Sequence, residues 1–126
     1  MTQMSFKKTI LDYPITAEIS FSGNDCLVKI CGGCTPHVGS VSVAYWNEGK
    51  MALEKILLPH HRDDVVGNMF AEAIAQKLQT TVAVVCGIHY HEPGYAGIQH
   101  IIEGAKELLD EILKSVNIDI SQETSV

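Results

Sequence analysis

A chain of 126 residues, 46% of them hydrophobic, can fill one core of ordinary size and has too little left for a second. The formal net charge is −6 and the nine basic residues do not cluster, so the electropositive face of a nucleic-acid binder is missing. The longest apolar run, Val82 to Ile88, is far short of the ~20 residues of a membrane span, and Met1 to Lys8 is not followed by an apolar export core, so a cytoplasmic protein is expected.

From Phe6 to Phe21 the chain mixes β-branched and aromatic residues around Asp12-Tyr13-Pro14. Ile15, Ala17, Ile19 and Phe21 alternate with polar neighbours, the period-two pattern of a half-buried strand. Gly23-Asn24-Asp25 supplies a turn and Cys26 to Ile30 a returning strand, which ends in the loop Cys31-Gly32-Gly33-Cys34-Thr35-Pro36-His37. Val38 to Trp46 is strand-like again. Asn47-Glu48-Gly49-Lys50 is turn chemistry, and it favours a strand over a short helix for Met51 to Leu58 because such a turn suits a hairpin.

Asp63-Asp64 offers an N-cap and an acidic first turn for a helix over 64–79, where Val66, Met69, Phe70, Ala73, Ile74 and Leu78 recur on one face. Thr80 to His89 is a continuous apolar run, the pattern of a central strand covered on both faces. A second amphipathic helix opens near Gly97. It turns Ile98, Ile101, Ile102, Ala105, Leu108, Leu109, Ile112 and Leu113 inward, and Lys106, Glu107, Asp110, Glu111 and Lys114 outward. The tail from Ser121 is polar. The expectation is one mixed α/β (α+β) domain over residues 1–126 with an ordered core of about 5–117. Its mixed sheet has five or six strands, with antiparallel hairpins, one right-handed crossover and two helices.

This order of elements gathers histidines. Strand, helix 64–79 and strand 81–89 make a crossover unit, so the two strands run in the same direction and end at one sheet edge. That edge receives His60-His61 and His89-Tyr90-His91, and the antiparallel strand 38–46 starts there with His37. Cys31 and Cys34 arrive with the preceding hairpin. Ligand sites of open sheets commonly form at such an edge. Three imidazoles, from His37, His61 and His89, suit a divalent metal with positions left open, although any single one serves equally as a solvated loop residue. Cys31 and Cys34 lack the second pair of a zinc ribbon and the following helix of a redox motif, so ligand, redox and incidental roles all stay open.

Gly32, Gly33, Gly39 and Ser40 frame a loop that could bring backbone N–H groups to a phosphate, and the helix near Gly97 has free donors of its own. Arg62 is a candidate partner for a phosphate or carboxylate. Tyr45, Trp46, Tyr90 and Tyr95 could stack on an aromatic ligand or simply pack. No Ser-His-Asp order, Walker loop or dinucleotide fingerprint is visible.

Thr35-Pro36-His37-Val38-Gly39, Leu58-Pro59-His60-His61-Arg62-Asp63-Asp64 and Gly87-Ile88-His89 resemble motifs of the LpdD-like family over roughly residues 5–115. These small proteins accompany UbiD-type decarboxylases of the gallate and hydroxybenzoate kind as chaperones for prenylated flavin mononucleotide. His37, His61, Arg62 and His89 stand at the family's motif positions, while His60 and the segment His91-Glu92-Pro93 depart from it. The resemblance implies a non-enzymatic carrier that binds prenylated FMN with a divalent metal and serves a UbiD-type catalytic subunit, and the acidic, apolar-rich chain is compatible with a homodimer. Thr35, His37, Gly39, Ser40, Arg62 and Tyr90 would hold the cofactor, and His37, His61 and His89 the metal. A small metal-dependent enzyme using the same histidines, and a structural subunit of the decarboxylase, are the alternatives from other classes.

Overall fold

A computed structural model describes residues 3–59 and 62–116. His60, His61 and the polar tail from Ser121 lie outside the described residues. The elements in chain order are β1 (Gln3–Ile10), β2 (Tyr13–Ser22), β3 (Asp25–Gly33), β4 (Ser40–Asn47), β5 (Lys50–Leu57), α1 (Asp64–Leu78), β6 (Val82–His89) and α2 (Gly94–Ser115). The strands form one six-stranded mixed sheet in the order β1-β2-β3-β6-β4-β5, and the architecture is α+β.

Three hairpins close through two-residue loops, between Ile10 and Tyr13, Ser22 and Asp25, and Asn47 and Lys50. Such loops need positive φ because the mirror-image turns match the twist of the strands they join. Gly23 at 63° and the pair Glu48 at 53° and Gly49 at 79° provide it. The first hairpin uses Leu11 at 50° and Asp12 at 70° instead. No glycine marks this turn, yet it divides the β-rich stretch before Phe21 into β1 and β2. Met51 to Leu58 resolves as the strand β5, antiparallel to β4. The second helix opens at Gly94, earlier than Gly97, directly behind Pro93, whose φ of −71° already suits a helix start.

β6 lies in the middle, parallel to β3 and antiparallel to β4. The crossover through α1 therefore steps over β4, and β5 and β6 run in the same direction without touching. Both helices cover one face. Ile15, Ala17 and Ile19 of β2, Val28 and Ile30 of β3, and Val82 and Val84 of β6 are buried there, closed over by Phe70 and Ile74 of α1 and Leu108 and Ile112 of α2. Gly67 lets α1 sit close to Ser40 and Ser42 of β4, and Gly104 lets α2 sit on Ile10. On the other face Ala83 and Val85 of β6 are only half-buried. The cover expected on both sides of this strand is present on one.

Phe70 is fully buried at the centre of this core. Phe70→Ala should lower stability by ~3–5 kcal/mol through lost burial and a residual cavity, whereas Val65→Ala on the exposed side of α1 should change it by about 0.5 kcal/mol at most. Urea midpoints at constant m-value measure both.

Candidate functional site

β3 and β6 end at the same sheet edge, β5 ends there too, and β4 starts there. The β3–β4 loop, the start of α1, the end of β6 and the start of α2 therefore come together. His37 and His89 meet as expected, with ring centroids 6.4 Å apart and planes at 75°.

The group that joins them to the fold is Asp63. A helix-capping role is the natural reading of Asp63-Asp64, but Asp63, which occupies the N-cap position, makes no side-chain cap bond. Its carboxylate turns inward, where the residue is 7% exposed. Oδ1 accepts the Ile88 N–H at 2.8 Å, and Oδ2 lies 3.0 Å from His37 Nε2. His37 Nδ1 is 3.1 Å from the carbonyl oxygen of Thr35. Both ring nitrogens of His37 are thus engaged within the protein. A buried carboxylate must be paired or hydrogen-bonded, and this one acquires partners from two separate segments.

The close approach also explains two glycines. A Cβ on Gly39 would overlap the Asp63 carboxylate, and one on Gly87 would overlap the His37 carbonyl oxygen. Gly39 is tied by its backbone alone: its N–H donates to Cys86 O, and its carbonyl accepts the Leu58 N–H, each at 2.9 Å. The Cys34 N–H donates to His89 O at 2.7 Å. Gly33, with φ of 79° and its α-carbon against that same His89 carbonyl, allows the approach.

Asp64 faces the opposite way. Its side chain is 3% exposed and accepts from Lys55 Nζ at 2.8 Å and Arg62 Nε at 3.3 Å. The hydrogen bond from Lys55 holds its carboxyl below the usual carboxylate range against the opposing effect of burial, with Arg62 assisting. Arg62 itself is 77% exposed. Burial pushes the Cys26 thiol up to about 11 and the Cys86 thiol further still, so both stay protonated at neutral pH. Cys34 is exposed, and its hydrogen bond to Tyr13 raises the pKa of that phenol.

Behind His89 lies a cavity of about 300 Å³ between α1, the end of β6 and the first turns of α2. Val65, Val66, Ile88, Ile98, Ile101 and Ile102 make its apolar walls, with Arg62, Asp63, His89, Tyr90 and Pro93 completing the lining. Tyr90 is held in place. Its hydroxyl donates to Ile10 O at 2.7 Å, and its ring meets Tyr13 edge-on at 6.0 Å. Of the residues singled out by sequence, Arg62, His89 and Tyr90 line the cavity, His37 contacts the lining residue Asp63, and Thr35 reaches only His37, through its carbonyl oxygen. Ser40 is fully buried with no partner for Oγ among the described residues, and neither it nor Gly39 lines the cavity. Among the described residues no group of three histidine, cysteine or acidic side chains is placed to hold a metal, and His61 lies outside them. Asp63 and the isoleucines of α2 are the residues sequence reasoning did not assign to the site. The available signal was Ile98, which extends the apolar stripe of α2 past the sheet edge and stays 46% exposed.

The model of the prenylated flavin chaperone LpdD-like domain matches residues 9–117. The chain belongs to this family. No curated protein matches it. Among solved structures, a chain from a chaperone complex for yeast 20S proteasome assembly is similar, with a TM-score of 0.52 and 10% identity over 86% of this chain and 99% of that one. At that identity the likeness is one of fold. Among the described residues of this chain no helix is long and apolar enough to cross a membrane.

The Asp64 cluster makes a pH-dependent prediction. Its folded carboxyl titrates below the unfolded value of ~3.9, so the pair stabilises the fold above that pH, and the contribution is lost as pH falls through the depressed folded value. Lys55 is half-exposed and partly screened, so Lys55→Met should cost about 1 kcal/mol at pH 7. The difference from wild type should shrink at pH 3 and below. Urea unfolding across pH 2.5–7, as the chosen range of roughly five pH values, measures it; a gap independent of pH would contradict the assignment.

Proposed function

We propose that this LpdD-like protein is a cytoplasmic, non-enzymatic carrier of prenylated FMN, homodimeric, that supports maturation of a UbiD-type decarboxylase. The observation that carries the reading is the apolar cavity at the histidine edge, in a chain of the prenylated flavin chaperone family. A prenylated flavin brings a large ring system with an added hydrocarbon ring, and a phosphate. At about 300 Å³ the cavity lies at the small end of the ~300–1,000 Å³ usual for small-molecule pockets, which suits the ring system with the phosphate left outside. Ile88, Ile98, Ile101, Ile102 and Tyr90 would hold the ring.

Arg62 at the mouth would pair with the phosphate. The start of α2 assists this, since its first turn has no acidic side chain and no side-chain cap bond competing for its N–H groups. The glycine loop is less suited, because the Gly39 amide already donates to Cys86 and Ser40 is buried. His89 would contact the cofactor at the rim, while His37 would hold the rim in place with Asp63. A contribution from a divalent metal would require His61 alongside His89.

Exposed apolar side chains support a role in delivery to a client. Leu11, Tyr13, Val38, Leu58, Val65, Tyr95 and Ile98 are all at least 40% exposed and sit in loops, at the first residue of β2 or at helix starts around this one edge. Such a collar suits transient docking of a protein whose own cofactor site faces the cavity.

Fluorescence titration of the purified protein with reduced prenylated FMN tests the reading. Wild type should bind one cofactor per chain, His89→Ala should weaken binding about tenfold, a loss of ~1.4 kcal/mol, and Ile102→Trp should abolish it by filling the cavity, both with unchanged circular dichroism. Affinity that survives chelator removes the metal from the site, and affinity that collapses brings it in. No binding by wild type under either condition would end the proposal.

A further inference from the structure

The outer edge of β5 faces an open groove, and we infer that an extended segment of the client protein docks there as a seventh strand. The inference rests on the delivery role proposed above and names the partner's mode of docking. β5 ends the strand order, and among the described residues it pairs only with β4. Its two-residue hairpin closes on Asn47 and Lys50, and the pair that closes such a loop is hydrogen-bonded. Antiparallel pairs alternate, so Lys50, Ala52, Glu54 and Ile56 bond to β4, while Met51, Leu53, Lys55 and Leu57 direct their N–H and C=O groups outward. The Leu58 N–H, which donates to Gly39 O at 2.9 Å, continues the bonded series. Edges of this kind are commonly blunted by a proline, a bulge or an unpaired charge. β5 has no proline and no break in register, and its one charged side chain on the helix face, Lys55, is bound to Asp64 at 2.8 Å.

The helix reaches past the last strand. α1 presents Val65, Asn68, Met69, Glu72, Ala73 and Gln76 to a groove of about 680 Å³, a stripe at the three- and four-residue spacing of one helix face. Met51 and Lys55 of β5 form the opposite side. From Asp64 to Gln76 the groove runs ~18 Å along the helix, roughly the length of five or six extended residues. The residues of β5 with outward backbone groups therefore also line the groove. A strand added to β5 gains main-chain hydrogen bonds and places every second side chain under α1, which are the two elements of recognition by strand addition.

Charge and continuity name the occupant. Lys55 and Arg62 converge on the single carboxylate of Asp64, which leaves positive charge in excess at the end of the groove nearest the cavity, on a chain of net charge −6. Glu72 lies two turns further along α1, and Met51, Met69 and Ala73 supply the apolar part. The segment that fits is apolar at alternate positions and carries an acidic side chain beside Arg62. Arg62 and Val65 line both this groove and the cavity, and Leu58, directly after β5, belongs to the exposed collar. A client strand on β5 thus continues onto the rim from which the cofactor would be delivered.

Residue-resolved amide hydrogen exchange of the full chain, with and without the apo form of a UbiD-type decarboxylase, tests this. The decarboxylase should slow exchange at Met51, Leu53 and Lys55 and leave Ala52 and Glu54, already bonded to β4, as they are. By calorimetry, Met51→Pro, which removes one outward N–H and no bond to β4, should weaken docking about tenfold. Ala73→Trp, which fills the groove from the helix side, should abolish it. Neither residue lines the cavity, so both variants should bind prenylated FMN as wild type does, with unchanged circular dichroism. A decarboxylase that binds both variants as tightly as wild type, that binds without slowing the outward amides, or that does not bind wild type would overturn the inference. Slow exchange at those amides in the chain alone, increasing with its concentration, would assign the edge to a second copy and overturn it as well. Failure of wild type to bind flavin, with the decarboxylase still docking on β5, would end the carrier reading alone. Should Met51→Pro fail to fold, Ala73→Trp gives the same reading.

Discussion

The carboxylate of Asp63 is the contact on which the shape of the site depends. It sits where α1 begins, and it binds the β3–β4 loop through His37 and the end of β6 through the Ile88 amide. Removing it would take this acceptor from a part-buried amide and a part-buried imidazole, at a cost of up to ~1–3 kcal/mol for each. The glycines at 39 and 87 follow from the same contact, because the loop can reach the carboxylate only where no Cβ intervenes. The cavity inherits its geometry from this arrangement. One wall belongs to α1, another to β6, and Asp63 fixes the distance between them.

Adjacent aspartates with opposite directions hold the start of α1 from two sides. Asp63 faces β6 and the histidine loop, and Asp64 faces β5 through Lys55. Arg62, one residue earlier, is placed between an intramolecular pair and the cavity mouth, since its Nε donates to Asp64 while most of the side chain remains in solvent. A phosphate at the mouth would meet a guanidinium already oriented by a buried carboxylate. Oriented groups lose less freedom on binding.

Much of the fold was legible because the sheet is amphipathic in a simple way. Ile15, Ala17 and Ile19 alternate, Val82 to Ile88 do not, and that difference separates a peripheral strand from the central one. The convergence of His37 with His89 followed from strand direction alone. The turn at Leu11-Asp12 was hidden, because positive φ there is imposed by the strands it joins and not announced by a glycine. The role of Asp63 was hidden for a different reason. An acidic residue ahead of a helix has a familiar local use, and only the tertiary neighbours, contributed by residues 26 and 25 positions away, provide something better. Ser40 looked like part of a phosphate loop until pairing with Leu57 and Cys86 placed it inside β4, beneath Gly67.

In the proposed reading, the cavity at one sheet edge would hold the small molecule and the exposed apolar collar around it would meet the client protein. The division rests on the cavity being where the prenylated flavin goes. Isoleucine methyl NMR decides this most directly, because the isoleucines are distributed over the regions that matter. On addition of prenylated FMN, the account predicts intermolecular nuclear Overhauser effects to Ile88, Ile98, Ile101 and Ile102 and none to Ile56 on the open face or Ile112 in the core. Effects centred on Ile56, or saturable binding that leaves the four cavity methyls unchanged, would contradict it.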